Sequence, residues 1–155
     1  NYFGREYLLK VIYTDNKQGV EICSETNMLI MYVRKGSTAE KRKKLLAEWY
    51  RRRLKEHIPI IIAKWEKIVG VKVKNFGVKL MKTRWGTCNT KTGMLWINLE
   101  LAGRDPKYLE YIVVHEMTHL IERYHNKRFY SLMDEFMPEW RVIRKELKSM
   151  PLILQ

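Results

Sequence analysis

The stretch Val113–His125 reads VVHEMTHLIERYH. At about 100° per residue, Leu109, Ile112, Val113, Met117 and Leu120 gather on one face of a helix. Asp105 is placed to cap that helix and Pro106 to open it, and the pattern runs to about residue 122. Glu116 falls near the centre of the apolar stripe, where a charge is expensive to bury unless it is paired or functional. His115 and His119 are one turn apart, separated by about 40° around the axis and about 6 Å along it. Two imidazoles at that spacing reach one tetrahedral zinc, and Glu116 stands beside them, free to address a zinc-bound water. That is the mechanical content of an H-E-x-x-H motif. A catalytic zinc needs a third protein ligand and one open position. His125 supplies it only if the helix stops, because on a continuing helix it would point about 240° away from His119. The helix is therefore expected to end near Arg123, with Asn126 capping the next one. The plain alternative is a core helix with satisfied histidines. Three of the chain's four histidines fall between His115 and His125, which favours the metal. A closed structural site, with Cys88 or His57 as fourth ligand, is the lesser metal reading.

Around this stretch the chain has the bulk properties of a folded domain. Its 155 residues are 46% apolar, enough for a hydrophobic core. No apolar run approaches the ~20 residues of a membrane span, so no membrane partner is expected. NYFGREYLLK lacks the hallmarks of a signal peptide. The chain starts at Asn1 and not at methionine, which leaves a preceding segment open. Cys23 and Cys88 do not make a disulfide framework, so both are read as reduced, in a cytoplasmic protein. Thirty Lys and Arg against seventeen Asp and Glu leave a net charge of +13. That charge suits polyanions such as nucleic acid, or it belongs simply to a basic protein. No sequence signal addresses oligomeric state.

The remaining segments define an α+β chain. EYLLKVIYT, VEICSE and MLIMYV read as strands, and residues 1–36 are expected to form an N-terminal antiparallel β-meander. Ser37 and Glu40 have capping-box spacing at the start of a long basic helix, which Gly70 ends and Pro59 should kink or split. KRKK and RRR on this helix are either a solvated face or a surface for polyanions. VKVKNFGVKLMKTRWGTCNTKTGMLWINLEL reads as a hairpin with its turn at NTKTG, and Gly77 marks a bulge. Two short helices follow, capped by Asn126 and opened by Pro138. The apolar tail MPLILQ has no assigned place. Residues 37–155 form the core around the histidine helix, and the whole chain is read as one domain.

RWGTC, GMLWINLEL, YIVVHEMTHLIERYHNKRFY and MPEWR together resemble the YgjP-like zinc metallopeptidases, relatives of the SprT-like proteases. YLLKVIY and the long helix with EWYRRRL also fit that layout, so the resemblance covers nearly the whole chain. It implies a zincin-type helical core under a small antiparallel sheet whose edge lies along the cleft. It implies one Zn2+ held by His115, His119 and His125, with Glu116 as general base. Trp85, Gly86 and Cys88 match the family's W-G-[ST]-C hairpin, and Asn98 matches an asparagine on the return strand. Thr87 stands where serine is the commoner residue. The spacing of the three histidines also equals that of metzincins, but Glu122 replaces their turn glycine and no Met-turn follows.

The expected chemistry is hydrolysis of a peptide or protein substrate, with zinc polarising the carbonyl and Glu116 shuttling the water proton. Arg84, Tyr124 and Tyr130 are candidate donors to the oxyanion. Trp85 is either a cleft residue or a core anchor, and Asn98 either a site residue or a strand pin. The rival reading is a nucleic-acid-associated protein, or a protease acting on nucleic-acid-bound proteins, using the basic surface.

Overall fold

The structure is a computed structural model that describes residues 1–152. The last three residues of the MPLILQ tail lie outside the described residues. The α+β class holds, with two three-stranded sheets and four helices. Strands β1 (Leu8–Tyr13), β2 (Gly19–Cys23) and β3 (Met28–Val33) form the first sheet in the order β1-β3-β2. β1 runs parallel to β3 and β2 antiparallel to it, so this is not the expected meander. The physical reason lies in β3 itself. MLIMYV is the most apolar of the three, with Leu29, Met31 and Val33 buried, and it takes the central place with partners on both edges. A meander would have put the less apolar GVEIC there.

Helix α1 (Ala39–Val69) follows. Thr38 caps it, accepting from the Lys41 N–H, so the expected Ser37 cap is displaced by one residue. Gly70 ends it as expected, with its N–H donating to the Glu66 carbonyl. Pro59 does not split it. Leu54, Ile58 and Ile62 lie on the buried stripe, while Pro59 is exposed and costs a hydrogen bond on the solvent side only. There the Lys55 carbonyl can bond to water, and packing on both sides of the gap lets the helix continue through it.

The second sheet repeats the arrangement of the first. β4 (Asn75–Lys79), β5 (Gly86–Asn89) and β6 (Met94–Asn98) lie in the order β4-β6-β5. β5 and β6 form the expected antiparallel hairpin, but β4 is parallel to β6, so the sheet is mixed and not purely antiparallel. Again the most buried strand is central: Leu95, Ile97 and Asn98 of β6 are all buried. VKVK precedes β4 and is not part of it. Gly77 is no bulge. It pairs in register with Trp96, and an added Cβ would lie 2.3 Å from the Trp96 ring, which occupies the space a side chain would need.

A short 3-10 helix, Leu99–Gly103, leads to α2 (Pro106–Thr118), then α3 (Lys127–Phe136) and α4 (Trp140–Ser149). Asp105 and Pro106 start α2 as expected. α2 ends at Thr118, earlier than the expected residue 122. The Leu120 and Ile121 N–H groups bond three residues back, to Met117 and Thr118, so the last turn tightens and the chain leaves the helix axis. α2 is the central element: it packs against α1, α3, α4, β5 and β6. Val113, Val114 and Met117 on it are fully buried.

Candidate metal centre and cleft

The early end of α2 is what lets His125 return. Asn126 accepts from the Phe129 N–H and starts α3, which puts His125 just before that cap and opposite the last turn of α2. His125 Nε2 lies 3.2 Å from His115 Nε2 and 2.9 Å from His119 Nε2. Two zinc–nitrogen bonds of about 2.0–2.1 Å at a tetrahedral angle set nitrogens about 3.3 Å apart, so these separations suit one ion. Among the described residues, the group able to hold a metal is His115, His119 and His125. Phe129, fully buried, lies under all three rings at 4.6–5.0 Å between centroids. His119 Nδ1 stands 3.2 Å from the Glu122 carbonyl, to which it donates when Nε2 is the free lone pair. The Tyr111 hydroxyl lies 3.5 Å from His115 Nδ1.

Electrostatics keep the trio ready for a cation. Burial, then the neighbouring charges of His119, His125 and Arg144, push His115 down to about 3. Burial also lowers His119 and His125. All three rings are therefore neutral near neutral pH, with lone pairs available to a metal. Three such lone pairs converging within a few ångströms repel one another unless a cation or proton lies between them. The donor set thus fits zinc, whose bonding they can share.

Glu116 is buried, 5% exposed, with Oε2 4.0 Å from His115 Nε2. Burial pushes its carboxyl up to about 8, opposed by the charge of Arg84. Its place in the apolar stripe follows from the packing of β5 on α2. Gly86 comes so close that an added Cβ would sit 2.6 Å from Ile112 Cγ2 and 3.2 Å from Glu116 Cγ. Only a residue without a side chain allows the edge strand to approach the carboxylate in this way.

The histidines and Glu116 open into a cleft of about 900 Å³. One wall is β5, from Gly86 to Asn89, the edge strand of its sheet. The other is formed by the loop after α2 and by α4. Of the sequence candidates, Arg84 and Trp85 line this cleft. Trp85 is half-buried, with the Arg104 guanidinium 5.8 Å from its ring. Asn98 is not brought to the lining. It is fully buried and donates to the carbonyls of Met81 and Arg84 at 3.1 and 2.7 Å, pinning the loop that carries Arg84. Tyr124 is 66% exposed, with Arg123 over its ring, and is not among the lining residues. Tyr130 stacks on Trp140 at 5.5 Å and likewise stays out of the lining. Cys88 lines the β5 wall and His57, on α1, packs edge-on against Phe3 of the N-terminal segment, so neither joins the histidines.

Three residues of the site were missed from sequence. Tyr111 lies one turn before His115 on the same helix, a spacing that could have found it. Phe129 could have been found as the residue that the Asn126 cap binds. Arg144 reaches the cleft from α4, and nothing in its local sequence announces that.

A buried carboxylate beside three converging imidazoles, at the foot of a cleft with an open strand edge, is an arrangement that could hold a metal ion and carry out hydrolysis. Residues 1–150 match the model of the YgjP-like metallopeptidase domain, and the chain belongs to that family; it is a peptidase. Among solved structures, the metallopeptidase zymogen abylysin of Pyrococcus abyssi superposes with a TM-score of 0.55 at 16% identity. That match covers 62% of this chain and 99% of the other. The metallopeptidase zymogen jannalysin of Methanocaldococcus jannaschii gives a TM-score of 0.52 at 22% identity, over 59% and 93% of the two chains. At these identities the likeness is one of fold. No curated protein matches the chain.

Proposed function

We propose that this metallopeptidase is zinc-dependent, with His115, His119 and His125 as ligands and Glu116 as the general base. The observation that carries the reading is the convergence of three Nε2 atoms beside a buried carboxylate. When bound, zinc supplies Lewis-acid polarisation of the scissile carbonyl and acidifies the attacking water. Glu116 takes a proton from that water as its oxygen bonds to the carbonyl carbon. The same carboxyl returns the proton to the nitrogen as the C–N bond breaks. Burial alone holds this carboxyl up at about 8, and a cation bound beside it would draw it back toward the charged form that accepts a proton. Glu122, through its carbonyl, holds the His119 ring in one tautomer. The free edge of β5 can pair with an extended peptide backbone, which fixes the scissile bond over Glu116. Arg84, beside Glu116, is the candidate donor to the oxyanion that the cleft retains.

Glu116→Gln tests this directly. Zinc content by atomic spectroscopy should stay at the parent level, while hydrolysis of casein falls by about 10²–10⁴-fold. Activity retained in this variant would remove Glu116 from the role, and parent activity that survives chelation would remove the metal.

A second reading concerns partners. Lys41, Lys44, Arg52 and Lys55 are exposed and, at about 100° per residue, share one outward stripe of α1, on which Glu48 also lies. Such a stripe suits a nucleic-acid backbone, and proteolysis would then act on nucleic-acid-bound proteins. Steep loss of DNA binding with salt would support it. We also read the chain as one domain, since Tyr2 and Leu29 share a core cluster with α1, α2 and α4. Cytoplasmic placement rests on Cys23 and Cys88 being free; no helix of the described residues is long and apolar enough to cross a membrane.

A further inference from the structure

The charge lining the cleft is one-sided. Arg84 and Lys91 stand on the β5 side, and Arg123, Arg144 and Lys148 on the opposite wall. Glu116, buried at the bottom, is the only acidic residue among the lining residues. None of the five cations forms an ion pair with an acidic side chain among the described residues. Elsewhere a minority of the cations do pair, among them Arg53 with Glu56, Lys64 with Glu110, Lys107 with Glu146 and Arg141 with Asp134. Arg144 is half-buried, and its charge reaches His115 and His125. The field of these five groups therefore falls on the space a substrate occupies, in a concave site whose walls exclude part of the solvent.

We propose that this cleft selects acidic peptide segments, with glutamate or aspartate side chains on either side of the scissile bond pairing with Arg84, Lys91, Arg123, Arg144 and Lys148. The inference rests on the peptidase reading of the same cleft. Strand β5 decides the chemical class of the anion. Its free edge presents backbone N–H and C=O groups in the two-residue alternation of a strand. An extended peptide answers both kinds of group, whereas a sugar-phosphate backbone has no N–H to offer the carbonyls. Arg84 precedes β5 and Lys91 follows it, so cations flank the paired segment at both ends. Alternate side chains of the bound peptide would face Arg123 on the loop and Arg144 and Lys148, one turn apart on α4.

The test uses the zinc-loaded Glu116→Gln protein and fluorescent peptides of one sequence that differ only in glutamate or glutamine around the central bond. Anisotropy at low salt should show the glutamate peptide binding about tenfold tighter, with the advantage shrinking as salt is added. Lys148→Glu should reduce that advantage about threefold, and Lys91→Glu repeats the measurement from the other wall should the first variant fail to fold. Equal binding of the two peptides, or tighter binding of the glutamine peptide, overturns the proposal. So does a single-stranded oligonucleotide that displaces the glutamate peptide at lower concentration than an acidic peptide does. A glutamate preference in binding without hydrolysis by the parent enzyme would leave charge selection standing and remove the peptidase reading. Hydrolysis of both peptides at one rate, with equal binding, would do the reverse.

Discussion

Replacing Gly86 with alanine should damage the cleft while leaving every proposed metal ligand and the proposed base in place. The new Cβ would lie 2.6 Å from Ile112 Cγ2 and 3.2 Å from both Glu116 Cγ and the Trp96 carbonyl oxygen. Carbon atoms rest comfortably about 3.5–4.0 Å apart, so β5 and α2 must separate by about 1 Å. Ile112 is buried and cannot swing away, and the carbonyl belongs to the partner strand. Overpacking of this kind costs about 1–3 kcal/mol. At about 2 kcal/mol, a chain of this length loses about 4–8 °C in Tm. The same displacement moves the peptide-binding edge away from Glu116, and about 1 Å of misplacement can cost about 10²-fold in rate. Zinc content should not change, because no ligand is touched. Thermal unfolding, metal analysis and kcat/KM on one peptide substrate measure the three effects separately. Ile112→Ala removes the offending methyl, so Gly86→Ala should cost about 1 kcal/mol less in that background than in the parent. A Gly86→Ala protein with parental Tm and kcat/KM would show that β5 does not need this close approach, and the account of the glycine would fail.

Three further outcomes follow from the site and its surroundings. His125→Ala should lower zinc affinity by more than the about 10–100-fold that loss of an outer hydrogen-bond partner costs, and competition with a zinc chelator reads it; parental affinity would remove the third ligand. Burial, with the Glu116 charge behind it, pushes the Cys88 thiol up to about 11, whereas hydrogen bonds from Thr26 lower Cys23. At a pH of about 8 only about one Cys88 in a thousand is thiolate, so iodoacetamide should label Cys23 first, and equal rates by mass spectrometry would contradict this. Asp134 is held below the usual carboxylate range by Arg141 and then by the Trp140 indole N–H. Its folded value lies below its unfolded one, so its contribution is complete above the unfolded value of about 3.9 and disappears as the pH falls through the folded one. The gap in urea midpoint between parent and Asp134→Asn should therefore be constant above a pH of about 5 and close below about 4; a gap that widens in acid would reverse the assigned sign.

The helices were the legible part of the fold because their signals are local. Asp105, Pro106, Asn126 and Gly70 act on groups within a few residues, and each stands where the sequence places it. Pro59 is the instructive exception. Its local cost is real, but the lost hydrogen bond faces water and the stripe through Leu54, Ile58 and Ile62 outweighs it. Strand partners were less legible, because pairing is settled between distant segments. Adjacent strands were expected to pair in turn, yet in both sheets the third strand inserts between the first two. The signal was there in apolar content: MLIMYV and MLWIN are each richer than their neighbours, and the richer strand takes the place covered from both sides.

The candidate site divides along the same line. His115, Glu116 and His119 could be placed together from helix geometry, and His125 from the requirement that the helix stop. The structure brings all four together, with the stop one turn earlier than expected. Arg144 and Lys148 could not be placed, because α4 meets the cleft only after the chain has turned twice. In the linear chain they are two cations among thirty. A net charge of +13 pointed to polyanions without saying where they would bind. Folding gathers two groups out of that charge: an outward stripe on α1, open to solvent, and five cations that face a strand edge beside three imidazoles. The first group can attract any polyanion. The second acts where a bond can be broken, and there the geometry of β5 admits a polypeptide more readily than a nucleic acid.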